Sequence, residues 1–197
     1  VTVSPPNVNV TLSDNDPNNA SGRASPWDAY DSTSFQLANG NTTKPWKFFT
    51  STGTVVMPGI GWTITATPTS VTTYGNTTQP VKVSTNATAG ASLLVMRPNE
   101  AHSPGNFNGG KSGTLLNETA GQGFTVTVKS VDKYYNQTYD TPLAKLQTSD
   151  LYDSEPGAVA LSGGELTFFV TYYTATATAW TGANNDLGGS QYGIAYS

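Results

Sequence analysis

Apolar and polar positions alternate over short runs of this chain. Residues 8–12 read Val-Asn-Val-Thr-Leu, residues 62–67 Trp-Thr-Ile-Thr-Ala-Thr, and residues 124–131 Phe-Thr-Val-Thr-Val-Lys-Ser-Val. A period of two puts every second side chain on one face of an extended backbone, so each run predicts a half-buried strand. Further strands are expected at 1–3, 34–37, 46–50, 54–57 and 81–83. Others follow at 92–96, 143–146, 159–161, 166–173, 174–180 and 192–196. Asn39-Gly40 is a hairpin signal, and Pro5-Pro6 cuts the first run from the second. Residues 13–26 and 99–113 read as loops. Short strands between turn signals predict a sandwich of two packed sheets in the second half. Its interior is expected to hold Val95, Phe124, Val126, Val128, Leu146, Leu161, Phe168, Val170 and Trp180.

Composition agrees with an all-β chain. Its 31 Thr, 18 Ser and 16 Asn supply polarity through hydroxyls and amides, which compete with the backbone bonds of a helix interior. The absence of cysteine excludes a disulfide scaffold, a thiol nucleophile and any Cys-ligated metal. One histidine leaves little room for a His-based centre. Nine Lys and Arg against 13 Asp and Glu argue against a nucleic-acid partner. No run of 18 apolar residues predicts a membrane span. No basic segment with an apolar core stands at Val1, so an export signal is expected to have been removed or to lie outside this sequence.

The two halves echo each other. Residues 12–17 resemble 147–150 and the stretch running on to Glu155-Pro156-Gly157. Residues 35–40 match 159–164, residues 47–50 fall opposite 167–170, and residues 62–67 fall opposite 174–179. A colinear set of four reads as two tandem copies of one module, 1–90 and 91–197, with 84–90 as linker.

Residues 120–136, Ala-Gly-Gln-Gly-Phe-Thr-Val-Thr-Val-Lys-Ser-Val-Asp-Lys-Tyr-Tyr-Asn, resemble the strand-and-corner signature of bacterial immunoglobulin-like (Big-type) tandem repeats. Residues 94–100, with Ser103-Pro104-Gly105 and residues 110–113, are similar to the interdomain stretch of such arrays. The resemblance covers about residues 92–197 directly and 8–83 through the repeat. It implies two immunoglobulin-like β-sandwiches of the kind found as spacers and binding modules in surface adhesins, cell-wall proteins and filament subunits. Fold analogy alone does not choose among these.

The first module is expected to be incomplete, because nothing in it matches the strands at 92–96 and 124–131. A sandwich without its opening strands leaves unpaired sheet edges, which template another chain. The expectation is a head-to-tail homopolymer, in which a neighbouring copy completes the first module by strand addition. Val1 and Val3 are candidate donor residues at one end, and Tyr192, Ile194 and Tyr196 at the other. The plain alternative is a smaller self-contained fold or a fragment.

Other candidate sites each have a plain reading. Asn-x-Ser/Thr sequons occur at Asn9, Asn19, Asn41, Asn76, Asn86, Asn117 and Asn136. All but Asn9, which sits inside a strand, are glycosylation candidates. Asp14, Asp16, Asp150 and Asp153 offer hard oxygen ligands, so calcium is the one cofactor to consider. The same residues make Asx turns unaided, and the spacing lacks the glycine and terminal glutamate of an EF-hand loop. Glu100, His102 and Ser103 carry the group types of a triad, but as sequence neighbours in one loop they are expected to be solvated, with no catalytic residue among them. Trp27 is the best exposed candidate for stacking on a sugar, whereas Trp62 and Trp180 sit in alternating runs that favour a core. The reading is an extracellular, non-enzymatic structural protein of the cell surface. The alternative is a monomeric adhesin or carbohydrate-binding module with a glycan ligand.

Overall fold

The structure is a computed structural model and describes residues 7–19, 34–52, 61–70, 75–85, 92–114, 116–175, 181–184 and 195–196. The described residues are all-β, with no helix and several sheets. None of them forms a helix long and apolar enough to cross a membrane. The chain divides into two compact units, Val1–Ser84 and Thr85–Ser197.

Among its described residues, the first unit holds one antiparallel sheet of order β2-β1-β3-β4. Its strands are β1 (Asn9–Asp14), β2 (Ser34–Gln36), β3 (Trp62–Pro68) and β4 (Thr77–Val81). Val10 lies opposite Phe35 and Leu12 opposite Ala66, which puts these apolar side chains on one face. The turn after β2 is closed by reciprocal backbone bonds between Ala38 and Asn41, both 3.1 Å. Asn39 and Gly40 at its tip have φ of 52° and 78°, a pair of left-handed residues that Asn-Gly adopts at little cost.

The second unit holds β5 (Ser92–Met96), β6 (Ala101–His102), β7 (Lys111–Ser112), β8 (Gly123–Val131), β9 (Leu143–Thr148), β10 (Val159–Ala160), β11 (Glu165–Thr171), β12 (Thr181–Asn184) and β13 (Ala195–Tyr196). They form sheets of order β10-β9-β12-β13 and β11-β8-β5, with β6-β7 as a small hairpin. One apolar cluster joins Leu93 and Val95 of β5, Phe124, Val126 and Val128 of β8, and Phe168 and Val170 of β11 to Ala144 and Leu146 of β9 and Leu161. Every interior residue expected from the alternation is therefore buried, except Trp180, which lies outside the described residues. Phe124 meets Tyr172 edge-on, with ring centroids 5.1 Å apart.

The corner after β8 is tied by one carboxylate. Asp132, 1% exposed, accepts bonds from the backbone N–H of Tyr134 (2.8 Å) and Asn136 (2.9 Å), and from the Asn136 amide at both oxygens. Those contacts are the physical content of the Val131-Asp132…Asn136 pattern.

Several local expectations are corrected. Residues 46–50 form no strand: Pro45 precedes them, and no strand lies beside them among the described residues. The fourth strand runs over Thr77–Val81, earlier than 81–83. The loop at 99–113 contains the β6-β7 hairpin, braced by Lys111 Nζ on Glu100 at 3.0 Å. Thr174 and Ala175 lie in no strand; the strand beside β9 is β12 instead. Residues 1–3 and 54–57 lie outside the described residues.

Candidate subunit interface

The units can be compared position by position through their ladders. In the first, Val10 pairs with Phe35 and Asp14 with Ile64; in the second, Ala144 pairs with Val159 and Thr148 with Thr181. The Ala38–Asn41 turn recurs as Ser162–Glu165, with Gly163 and Gly164 at φ 58° and 78°. Leu37 N–H bonds to Val8 O at 2.9 Å, and Leu161 N–H to Pro142 O at 2.9 Å.

A carboxylate bridge also recurs. Asp16 accepts bonds from the N–H of Phe49 (2.7 Å) and Thr50 (3.0 Å), the Thr50 hydroxyl (2.7 Å) and the N–H of Asn18 (3.0 Å). Asp150 accepts the same set from Tyr173 (2.6 Å), Thr174 (2.9 Å), the Thr174 hydroxyl (2.9 Å) and Tyr152 (3.0 Å). These bonds correct two of the sequence matches. Phe48-Phe49-Thr50 corresponds to Tyr172-Tyr173-Thr174, not to 168–170, and β3 corresponds to the segment containing β12, not to 174–179. The missed signal is two aromatics followed by Thr.

The register sets two pairs of leucines side by side for comparison. Leu12 and Leu37 correspond to Leu146 and Leu161, which are 0% and 2% exposed because β8 and β5 cover them. Leu12 and Leu37 are half-buried. Above them lies a groove of about 250 Å³, floored by Val10, Leu12 and Ala66, walled by Phe35 and Leu37, and rimmed by Thr42 and Lys44. Thr42 and Lys44 take the places of Leu166 and Phe168 on β11, so the rim is polar where the closed unit is apolar. Lys44 Nζ sits 5.2 Å from the centroid of the Phe35 ring. No strand runs beside 42–47 among the described residues, whereas β11 pairs with β8 along its length.

The remaining candidates are scattered. Tyr196 lies in β13, paired with β12 of its own chain, while Val1, Val3, Tyr192 and Ile194 lie outside the described residues. Asp14 accepts bonds from the N–H of Asp16 (2.8 Å), Trp46 Nε1 (2.6 Å) and the Asn19 amide; burial pushes its pKa up against them. Asp150 is pulled down to about 2, chiefly by the Thr174 N–H. Asp153 accepts from the Thr148 hydroxyl at 2.7 Å. These carboxylates fix turns, and no group of three His, Asp or Glu among the described residues could hold a metal ion. Asn41, Asn76 and Asn117 are exposed, Asn19 is half-buried, and Asn86 lies outside the described residues. Asn136, 3% exposed and bonded to Asp132, is withdrawn as an acceptor, since a glycan there would break the corner.

The triad types do not assemble. His102 Nε2 lies 2.7 Å from Tyr135 O, and burial lowers its pKa. Glu100 accepts the Arg97 N–H at 2.8 Å and holds Lys111, while Ser103 Oγ accepts from Asn106 at 3.2 Å. Trp62 is half-buried, and Trp27 and Trp180 lie outside the described residues. Comparison with family models, with curated proteins and with solved structures finds no match to this chain.

Proposed function

We propose that this chain is an extracellular structural protein, a subunit of a surface filament or other assembly whose copies join by strand complementation. Its two units are immunoglobulin-like modules of the Big type, the first lacking its opening strands. The carrying observation is the contrast at one repeated position: Leu146 is sealed under β8, and Leu12 lies half-buried in an open groove. An apolar sheet face beside an edge with no partner strand among the described residues favours pairing with another chain. The separate engagement of Glu100, His102 and Ser103 favours a mechanical role over catalysis. Electron microscopy of native material and light scattering over a concentration series test the reading. Polymers are expected, and a monomer at every concentration overturns it.

One observation favours the second reading, a monomeric adhesin or carbohydrate-binding module. Leu151, Tyr152 and Tyr173 are 92%, 75% and 60% exposed, and the backbone of both tyrosines is fastened to Asp150. Rings held this way can stack on a sugar. A glycan array with the intact chain and with Tyr152→Ala tests it: binding that falls with the substitution, without polymerisation, selects this reading.

A further inference from the structure

The repeat register states what must fill the groove. We infer that Val1-Thr2-Val3 of a second copy occupies it as an added strand, antiparallel to residues 42–44, with Val3 opposite Thr42 and Val1 opposite Lys44. This rests on the reading of the chain as a strand-joined subunit and names the joining segment.

In the closed unit the groove's place is taken by β8, where Val126-Thr127-Val128 is the same tripeptide as Val1-Thr2-Val3. Val126 and Val128 are 0% exposed and pack in the cluster that contains Leu146 and Leu161. Across the ladder, Val128 faces Leu166 and Val126 faces Phe168, the positions of Thr42 and Lys44. A strand with Val at alternate positions therefore sets both side chains onto Leu12 and Leu37 and leaves Thr2 outward. The other candidate donor is engaged: Ala195–Tyr196 pairs with β12 as β4 pairs with β3.

A neighbour's segment fits better than the chain's own. The return from β8 to β9 passes through Tyr135 and Tyr139 at φ 61° and 62°. Proline is locked near φ of about −65°, and Pro5-Pro6 stands between Val3 and β1, so those two positions cannot supply the left-handed turn with which the closed unit reverses. An incoming strand from another copy needs no reversal.

The chain has no cysteine, so introduced thiols report a single contact. Val3→Cys chains are mixed with isotopically labelled Thr42→Cys chains and oxidised, and the cross-linked peptides are identified by mass. A link between labelled and unlabelled copies is expected. Val3→Asp should lower association at least tenfold, whereas Thr2→Asp, facing outward, should leave it within a factor of two. Polymers that form without the Val3–Thr42 link overturn this donor and leave strand joining intact. A link that forms within one Val3→Cys/Thr42→Cys chain at high dilution shows self-closure and overturns the second copy. A chain that never associates overturns both the donor and the reading beneath it.

Discussion

Truncating one leucine in each unit measures how far each is closed. Leu146 is 0% exposed, and Leu146→Ala removes buried carbons and leaves a hole between two sheets. Such changes cost about 2–5 kcal/mol. Leu12 occupies the same position but is half-buried over an open groove, so Leu12→Ala leaves no sealed cavity. Losing about half of a leucine's burial of roughly 1.5–3 kcal/mol gives a cost near ~1 kcal/mol. Hydrogen exchange read by mass spectrometry on peptides covering β1 and β9 reports each unit separately. It avoids forcing a two-unit chain into one unfolding transition. At tenfold per ~1.4 kcal/mol, Leu146→Ala should speed β9 exchange about 30-fold to several thousand-fold, and Leu12→Ala should speed β1 exchange roughly fivefold in dilute solution. In associated material the Leu12→Ala effect should rise into the core range. Equal effects at high dilution would refute the reasoning, because they would mean that the first unit already covers its own groove.

The carboxylate bridges and turns supply further tests. Asp150 titrates in the fold at about 2, below an unfolded value of roughly 3.9, so its contacts are complete above about pH 4 and are lost as pH falls toward 2. The Thr174 amide shift followed by NMR should titrate over that window; a flat profile in the wild type would count against the bridge. Asp16 is 4% exposed, and Asp16→Ala orphans buried donors at ~1–3 kcal/mol each, so the first unit should lose at least ~3 kcal/mol in urea unfolding. Gly163→Ala should cost only the left-handed strain of ~1–2 kcal/mol, since nothing lies within 4 Å of its added carbon. Gly164→Ala meets Tyr139 Cα at 2.6 Å and should cost ~3 kcal/mol or more, read as the larger fall in melting temperature. Adding or chelating calcium should leave the melting temperature unchanged, because protein donors engage the Asp14, Asp16 and Asp150 carboxylates.

Alternation is a local property, and the sequence carried it openly. Phe124, Val126 and Val128 could be placed in a core because strand geometry alone decides which side chains share a face. The recurrence of the Asn39-Gly40 turn as Gly163-Gly164 was legible too, since it is a comparison of one short stretch with another. Phase was not. A Thr-Ala alternation matches itself in any even register, so residues 62–67 found a false counterpart at 174–179 until the β9–β12 ladder placed it. The same limit hid the failure of residues 46–50 to form a strand, because a strand exists only when a neighbour satisfies its backbone. Tertiary structure alone decided which leucine is sealed and which lies open: the pattern names an apolar face, and only the sheet packed against it determines whether that face is covered.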